Sequence, residues 1–520
     1  MLRIKISFLM GILVTVVYLG GAIGIGGMWG LQPGLAHAAE EYEHIRVGLP
    51  RVLAGIDPLG YPRLDRPELN VQMCFFDHLF RRADDGRIVG HLATDYKWLN
   101  DNTMRIHLRK GVKFHNGDEF TAADVKWSIE DMLNPDRGPG LAGYMKGIEK
   151  IVVVDDHTLD LHTDAAIPTL PAKLTCYSPM VSGKERSKVP PEVYEKKPMG
   201  TGPFKFIEWK KGEYVKMVRN ENYFKGVPKI KRLTFYPITD QNTRVSALRA
   251  GSIDIAMDIS PSIAAALKGT SGIEITSKPS ARCELVWFNT EKPPFNDRRL
   301  RQAANYAVNK EELVATVIEG YGLPTGQTCP SYFFGHNPEV KPYPYDTEKA
   351  KQLLAEAGYP NGLDVIYANP TTQEETARAV AGYLNAVGIR CKMEVKELGA
   401  NYADMLERRM RPIHHMSWGN WSLLDIDGTL QYVFGCTKPG QGRWSYYCNP
   451  RIEEIITELR TVDEEKRLRL AREANTILHD DAAALFLYFR KDIHAKRTGI
   501  PEFKARVDNT VRFKWVKGEK

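Results

Sequence analysis

Between Asp346 and Val395 the apolar residues change period twice, and a chain with that pattern is committed to an α/β fold. Asp346-Thr347 supplies a helix N-cap, after which Ala350, Leu353, Leu354 and Ala357 recur on one face. Gly358 stands where a glycine ends a helix. Asn361-Gly362 turns the chain into a strand, Leu363 to Tyr367. A second helix is expected from about Gln373 to Val387, with Ala377, Val380, Ala381 and Leu384 inward and Gly388 as its stop. Ile389 to Val395 is the next strand. Strand, helix and strand in this order make a right-handed crossover in a parallel sheet.

The region before it reads differently. Met104, Ile106 and Leu108 alternate with Arg105, His107 and Arg109, the period of a half-buried strand. Asn116-Gly117 makes a turn, and Thr121 caps a helix with Asp124 at its third position and Val125, Ile129 and Met132 on one face. Ile151–Val154 and Thr158–Leu161, around Asp155-Asp156, predict a β-hairpin. At 520 residues the chain has room for two to four domains. It contains no repeat, low-complexity tract or long linker, which implies lobes that exchange strands through short hinges.

The amino terminus carries an export pattern. Arg3 and Lys5 precede an apolar run from Ile6 to Leu19, and Ala36-His37-Ala38 matches the small-residue cleavage site of a leader. A cleaved leader over residues 1–38 is expected, with a retained anchor as the alternative; five glycines from Gly20 to Gly27 disfavour the anchor. The formal charge is +7, and loss of Arg3 and Lys5 leaves +5. That excess is dispersed, so it points to neither nucleic acid nor an anionic membrane. Export permits disulfides. Of the seven cysteines, Cys436 and Cys448 bracket a short loop, Thr437 to Tyr447, and are the pair expected to be bridged.

Catalytic signatures are missing. Gly200-Thr201-Gly202-Pro203 lacks the Gly-Lys-Ser/Thr that would cradle phosphate, and no G-x-G-x-x-G, H-E-x-x-H or G-x-S-x-G occurs. His414-His415 sends its two side chains in different directions and is a poor chelate. No enzyme activity, metal or cofactor is expected.

Three segments go beyond a generic α/β pattern. The first runs from Leu92-Ala93-Thr94 through Trp98 and Thr103–Gly117 to Phe120-Thr121-Ala122-Ala123-Asp124-Val125. The second joins Gly200–Phe206, Arg219–Phe224 and Arg244–Ile255. The third joins Phe288-Asn289-Thr290, Pro294–Asp297, Arg299–Ala303 and Tyr306–Asn309. Together they resemble the bacterial extracellular solute-binding proteins of family 5, the peptide and nickel class, over essentially the whole mature chain. The resemblance implies an α/β, two-lobed periplasmic binding protein fold (type II, cluster C-like) with an extra subdomain inserted in lobe I. Carried over, lobe I covers 39–72, 197–278 and 490–520, the extra subdomain 73–196, and lobe II 279–489. It further implies a monomeric periplasmic receptor that captures a small solute between its lobes and hands it to a membrane permease with ATPase subunits. A di- or oligopeptide is the expected cargo; a nickel complex, haem, an opine or an oligosaccharide are alternatives, and a secreted hydrolase is a remoter one.

In peptide-binding members of that family, a Trp-x-x-Asp segment supplies a carboxylate for the ligand's α-amino group. Here the matching stretch is Ser417-Trp418-Gly419-Asn420-Trp421-Ser422-Leu423-Leu424-Asp425-Ile426-Asp427; Trp421 stands three residues after Trp418 and Leu424 three after Trp421, so the aspartate is not where the motif expects it. Asp425 or Asp427 is the substitute through a shifted loop. Trp418 and Trp421 are candidate aromatic walls, and Arg282, near the lobe crossing, is a candidate partner for a ligand carboxylate.

Overall fold

The crossover from Asp346 onward is present in the computed structural model, which describes residues 41–59, 66–137, 142–419, 423–438, 441–500, 503–508, 510 and 512–513. Asp346 accepts a hydrogen bond from the Lys349 N–H at 2.8 Å and caps the helix Thr347–Glu356. Leu363–Pro370 then pairs in parallel with Ile389–Lys396 across the helix Glu374–Ala386. Two glycines make the return possible: a Cβ on Gly362 would sit 2.2 Å from the Gly388 carbonyl oxygen, and both residues have positive φ. The expected leader, residues 1–38, lies outside the described residues.

Among the described residues eleven strands form one sheet. In chain order they are β1 (Tyr42–Leu49), β2 (Phe204–Lys210), β3 (Tyr214–Arg219), β4 (Ile230–Pro237), β5 (Ile255–Ala256) and β6 (Ile273–Phe288). Then come β7 (Gly322–Pro324), β8 (Leu363–Pro370), β9 (Ile389–Lys396), β10 (Ile413–Gly419) and β11 (Ala484–Arg497). Their spatial order is β9-β8-β10-β6-β11-β5-β1-β4-β3-β2, with β7 against β11. Strands β6 and β11 are 16 and 14 residues long and run antiparallel through the whole arrangement. Their register slips between Pro279 and Cys283. A slip of this kind bends and twists a strand pair, so the sheet changes direction there.

Either side of that slip the chain builds separate cores. Around β1 and β4, Ile45, Val47, Leu233 and Phe235 pack with Phe75 and with Met104, Ile106, Leu159 and Leu161 of a second, four-stranded sheet. Those last four are the inward residues of the strand Thr103–Leu108 and of the hairpin read from sequence. Asp124 accepts from the Thr121 N–H at 3.0 Å, closing the expected cap of the helix Ala122–Leu133. Gly200 and Gly202 let the turn before β2 lie on another backbone: a Cβ on Gly200 would be 2.0 Å from the Phe75 carbonyl oxygen. Beyond the slip, β6 is buried on both faces. Leu285 and Trp287 enter one core with Met416 and Phe486, while Val286 and Phe288 enter the other with Leu300 and Val380. This accounts for its unbroken apolar run, since a strand covered on both sides has no polar face.

Cys436 and Cys448 are disulfide-bonded, with their Cα atoms 5.0 Å apart. Cys74, Cys176, Cys283 and Cys329 are buried thiols, and burial pushes each of their pKa values up. Among the described residues no helix is long and apolar enough to cross a membrane.

Burial also holds several histidines neutral. It lowers His78, His115 and His414 to about 4. The folded state therefore binds fewer protons than the unfolded chain below pH 6.5, and stability falls as pH drops from there toward 4. Each such histidine contributes a slope of up to about 1.4 kcal/mol per pH unit. His414 is fully buried, so His414→Leu is expected to flatten the decline in melting temperature between pH 6.5 and 4.5. An unchanged slope in that variant, read by calorimetry, excludes His414 as a source of acid lability.

Candidate ligand-binding site

In open α/β sheets, solutes bind outside the carboxyl ends of the strands, where the order of strands reverses. Here the carboxyl end of β10 meets the slip in β6, Gly419 opposite Arg282, and Gln373, just past β8, reaches Glu284 beside Arg490 of β11. Alternation on β6 puts Arg282, Glu284 and Val286 on one face, opposite Gly419, Ser417 and His415 of β10. Glu284 is 1% exposed. Its Oε1 accepts from Arg490 Nη1 at 3.3 Å and its Oε2 from Gln373 Nε2 at 2.9 Å, with His415 Nε2 3.4 Å away. Burial opposes ionisation of Glu284, but the His415 ring and the Arg490 guanidinium hold its carboxyl below the usual range. His415 is fixed from behind by the Tyr367 hydroxyl, 2.9 Å from Nδ1. Arg490 keeps 41% of its side chain exposed, so the buried carboxylate positions a cation that reaches the surface of the crossing.

The residues singled out by sequence fall into three groups. Trp418, on β10, is half-buried and packs edge-to-face against Trp444, their rings 5.4 Å apart; Trp444 in turn meets Tyr402. The Trp418 indole N–H is buried and has no acceptor among the described residues. Arg282 lies opposite Gly419 and adds to the positive field at Glu284. Trp421 lies outside the described residues. Asp425 and Asp427 are close to one another but buried, 7% and 8% exposed. Asp425 caps the short helix Ile426–Thr429 by accepting from the Asp427 N–H at 2.9 Å, and it pairs with Arg467 at 2.8 Å. Asp427 accepts from Gln431 Nε2 at 2.9 Å. Burial, and then the charge of Asp425, push the Asp427 carboxyl up to about 6.

This acidic corner faces the other half of the chain. Lys173, from the helix Leu170–Lys173, acts electrostatically on Asp427, and burial lowers its own pKa. Arg82 donates to the Leu423 carbonyl oxygen, joining the two halves directly beside the Trp418–Asp427 segment. A separate cavity of about 40 Å³ is lined by Asp77, His78, His91 and Tyr223. It has room for water, not for a solute of ordinary size. There Thr201 Oγ1, the Tyr223 hydroxyl and the neutral His91 ring all donate to Asp77, which stays ionised, with a pKa of about 2.

Glu284, Asn369, Gln373 and Arg490 were not singled out as site residues by sequence, and His415 was weighed only as half of a poor chelate. One signal was available: Glu284 is an acid inside an otherwise apolar strand, Cys283 to Phe288, and such a residue needs buried partners.

Two α/β halves joined by crossing strands, with polar groups gathered at the strand ends, define a two-lobed binding protein. The profile of the bacterial extracellular solute-binding proteins, family 5, middle region, matches residues 87–441, and the chain belongs to that family. It is 28% identical over 482 residues to the glutathione-binding protein GsiB of Pectobacterium atrosepticum, covering 88% of this chain and 91% of that protein. It is 30% identical over 424 residues to heme-binding protein A of Haemophilus influenzae, covering 75% and 77%. Among solved structures, HbpA2 from Haemophilus parasuis superposes with a TM-score of 0.80 at 21% identity, covering 91% of this chain and all of that one. Family members are substrate-binding proteins and not enzymes; they bind small ligands or peptides and work with ABC permeases. The relatives are periplasmic binding proteins.

Proposed function

We propose that this chain captures a peptide-like solute between its lobes and delivers it to an ATP-driven permease. The observation that carries this reading is the crossing of β6 and β11, with the Trp418–Trp444 rings on one face of the sheet and the guanidinium that Glu284 positions on the other. A peptide lying across the strand ends presents both apolar side chains and a charged end, and the two faces can address each. The GsiB relative supports it, because glutathione is a tripeptide. The register slip at 279–283 and its neighbours in β11 serve as the hinge, with lobe boundaries near 278/279 and 489/490. Hinge closure buries the solute, expels water and strengthens each polar contact made to it. The leader is cleaved after Ala38, so the mature protein starts at Ala39 in the periplasm, and it acts as a monomer.

Thermal denaturation against di- and tripeptides, glutathione, haem and a nickel–histidine complex tests the cargo. A solute present at a hundred times its dissociation constant stabilises the native state by about 2.7 kcal/mol, which registers as a clear rise in melting temperature. The expected result is a rise with peptides or glutathione. A rise with haem alone, which the second relative's name would then explain, removes the peptide reading.

A further inference from the structure

The charged groups at the strand ends are arranged for one end of a peptide and against the other. An α-ammonium group needs a carboxylate that faces it. Among the described residues of this site, Asp425 is committed to Arg467 and a helix cap, Asp427 to Gln431 beside Lys173, and Glu284 to Arg490 and Gln373. The exposed charge on this wall is a cation. Glu284 draws one nitrogen of Arg490 at 3.3 Å, and a guanidinium carries five N–H donors in a planar fork suited to carboxylate.

Two acceptors stand on the same face. Gln373 spends its Nε2 on Glu284, and Asn369 spends its Nδ2 on the Pro370 carbonyl oxygen at 3.1 Å. Those bonds fix which way each amide points, so Gln373 Oε1 and Asn369 Oδ1 are the groups left over. Both are buried and accept no hydrogen bond among the described residues, and Asn369 is fully buried (0% exposed). A buried acceptor without a donor is costly, and a ligand N–H removes that cost. On β8, alternation places Asn369 on the face of Tyr367, whose hydroxyl meets His415. The two amide oxygens and the Glu284–Arg490 pair therefore share one wall.

Resting on the peptide-like reading above, we infer that this wall receives the carboxyl-terminal end of the solute: the carboxylate on Arg490, and the neighbouring amide N–H on the oxygens of Gln373 and Asn369. Recognition is then indifferent to a free amine. Glu284 is a positioning residue that aims Arg490, and Gln373 is shared between the two tasks.

Isothermal titration with three probes decides it: Ala-Ala-Ala, N-acetyl-Ala-Ala-Ala and Ala-Ala-Ala amide. The free and acetylated acids are expected to bind within about threefold of one another, and the amide at least tenfold more weakly. Arg490→Gln is expected to bring the acids down to the level of the amide and to leave the amide unchanged; Gln373→Ala is expected to weaken all three. If a variant fails to fold, the three probes on the native protein suffice. Equal binding of acid and amide, or a tenfold loss on acetylation, overturns the inference and leaves the peptide reading standing. Failure of all three probes, with a thermal shift from haem, overturns both.

Discussion

Arg186→Met is expected to lower the stability of the folded chain by about 3–5 kcal/mol, the range seen when one partner of a buried ion pair is removed. Arg186 and Asp57 are paired at 2.9 Å with side chains 1% and 0% exposed. The guanidinium also donates to the Val189 carbonyl oxygen at 3.1 Å and lies over the Tyr194 ring. Asp57 belongs to the loop that leaves the carboxyl end of β1. That loop hangs on acids: the Leu59 N–H donates to Asp57, Ala54 to Glu68 and Ile56 to Glu195. Without Arg186, the Asp57 carboxylate is stranded where burial, and then the charge of Glu195, already disfavour its ionisation. The loss should appear as a lower urea midpoint at unchanged slope. In the double variant with Asp57→Asn the cost should be well below the sum of the single costs, since the second change removes the stranded charge. A loss under 1 kcal/mol for Arg186→Met would mean that water reaches this pair, and that the loop is held by its other contacts.

The difference between what sequence disclosed and what it hid follows from separation along the chain. The Asp346–Val395 crossover, the Thr121–Asp124 cap and the hairpin at 148–163 are local, and each is written in residues a few positions apart. Periodicity also identified which residues of Thr103–Leu108 face inward. It says nothing about which distant strand covers them. Glu284 and Arg490 are 206 residues apart, and nothing in either neighbourhood names the other. The acids near Trp418 illustrate a second limit. Asp425 and Asp427 were candidates because of where they stand relative to a family motif, yet their side chains answer to nearer claims, a helix start and Arg467. Proximity to a motif gave their position and not their employment.

The disulfide and the aromatic wall proposed around Trp418 form one mechanical unit, and this gives the other large expected effect. The bond from Cys436 to Cys448 closes the loop that carries Trp444, the residue on which Trp418 and Tyr402 pack. Removing a cross-link over a loop of this length costs about 2–4 kcal/mol through the freedom returned to the unfolded chain. The cost is not confined to that state. Arg408 still donates to the Gly442 carbonyl oxygen at 2.7 Å, and Ser445 to that of Val433 at 2.7 Å, so the loop stays attached at its middle while its two ends separate. Trp444 lies between those anchors, and its edge-to-face contact depends on an orientation that looser ends do not enforce. The variant Cys436→Ser/Cys448→Ser should therefore unfold at a lower midpoint and also bind its solute more weakly, by about threefold to tenfold, with a faster dissociation rate. Trp444→Ala, with the disulfide intact, separates the two effects: it should reproduce the loss of affinity with less of the loss in stability. If the double serine variant binds as tightly as the native protein while unfolding earlier, the bond acts on the unfolded chain alone, and the Trp418 wall owes its shape to the strands beneath it.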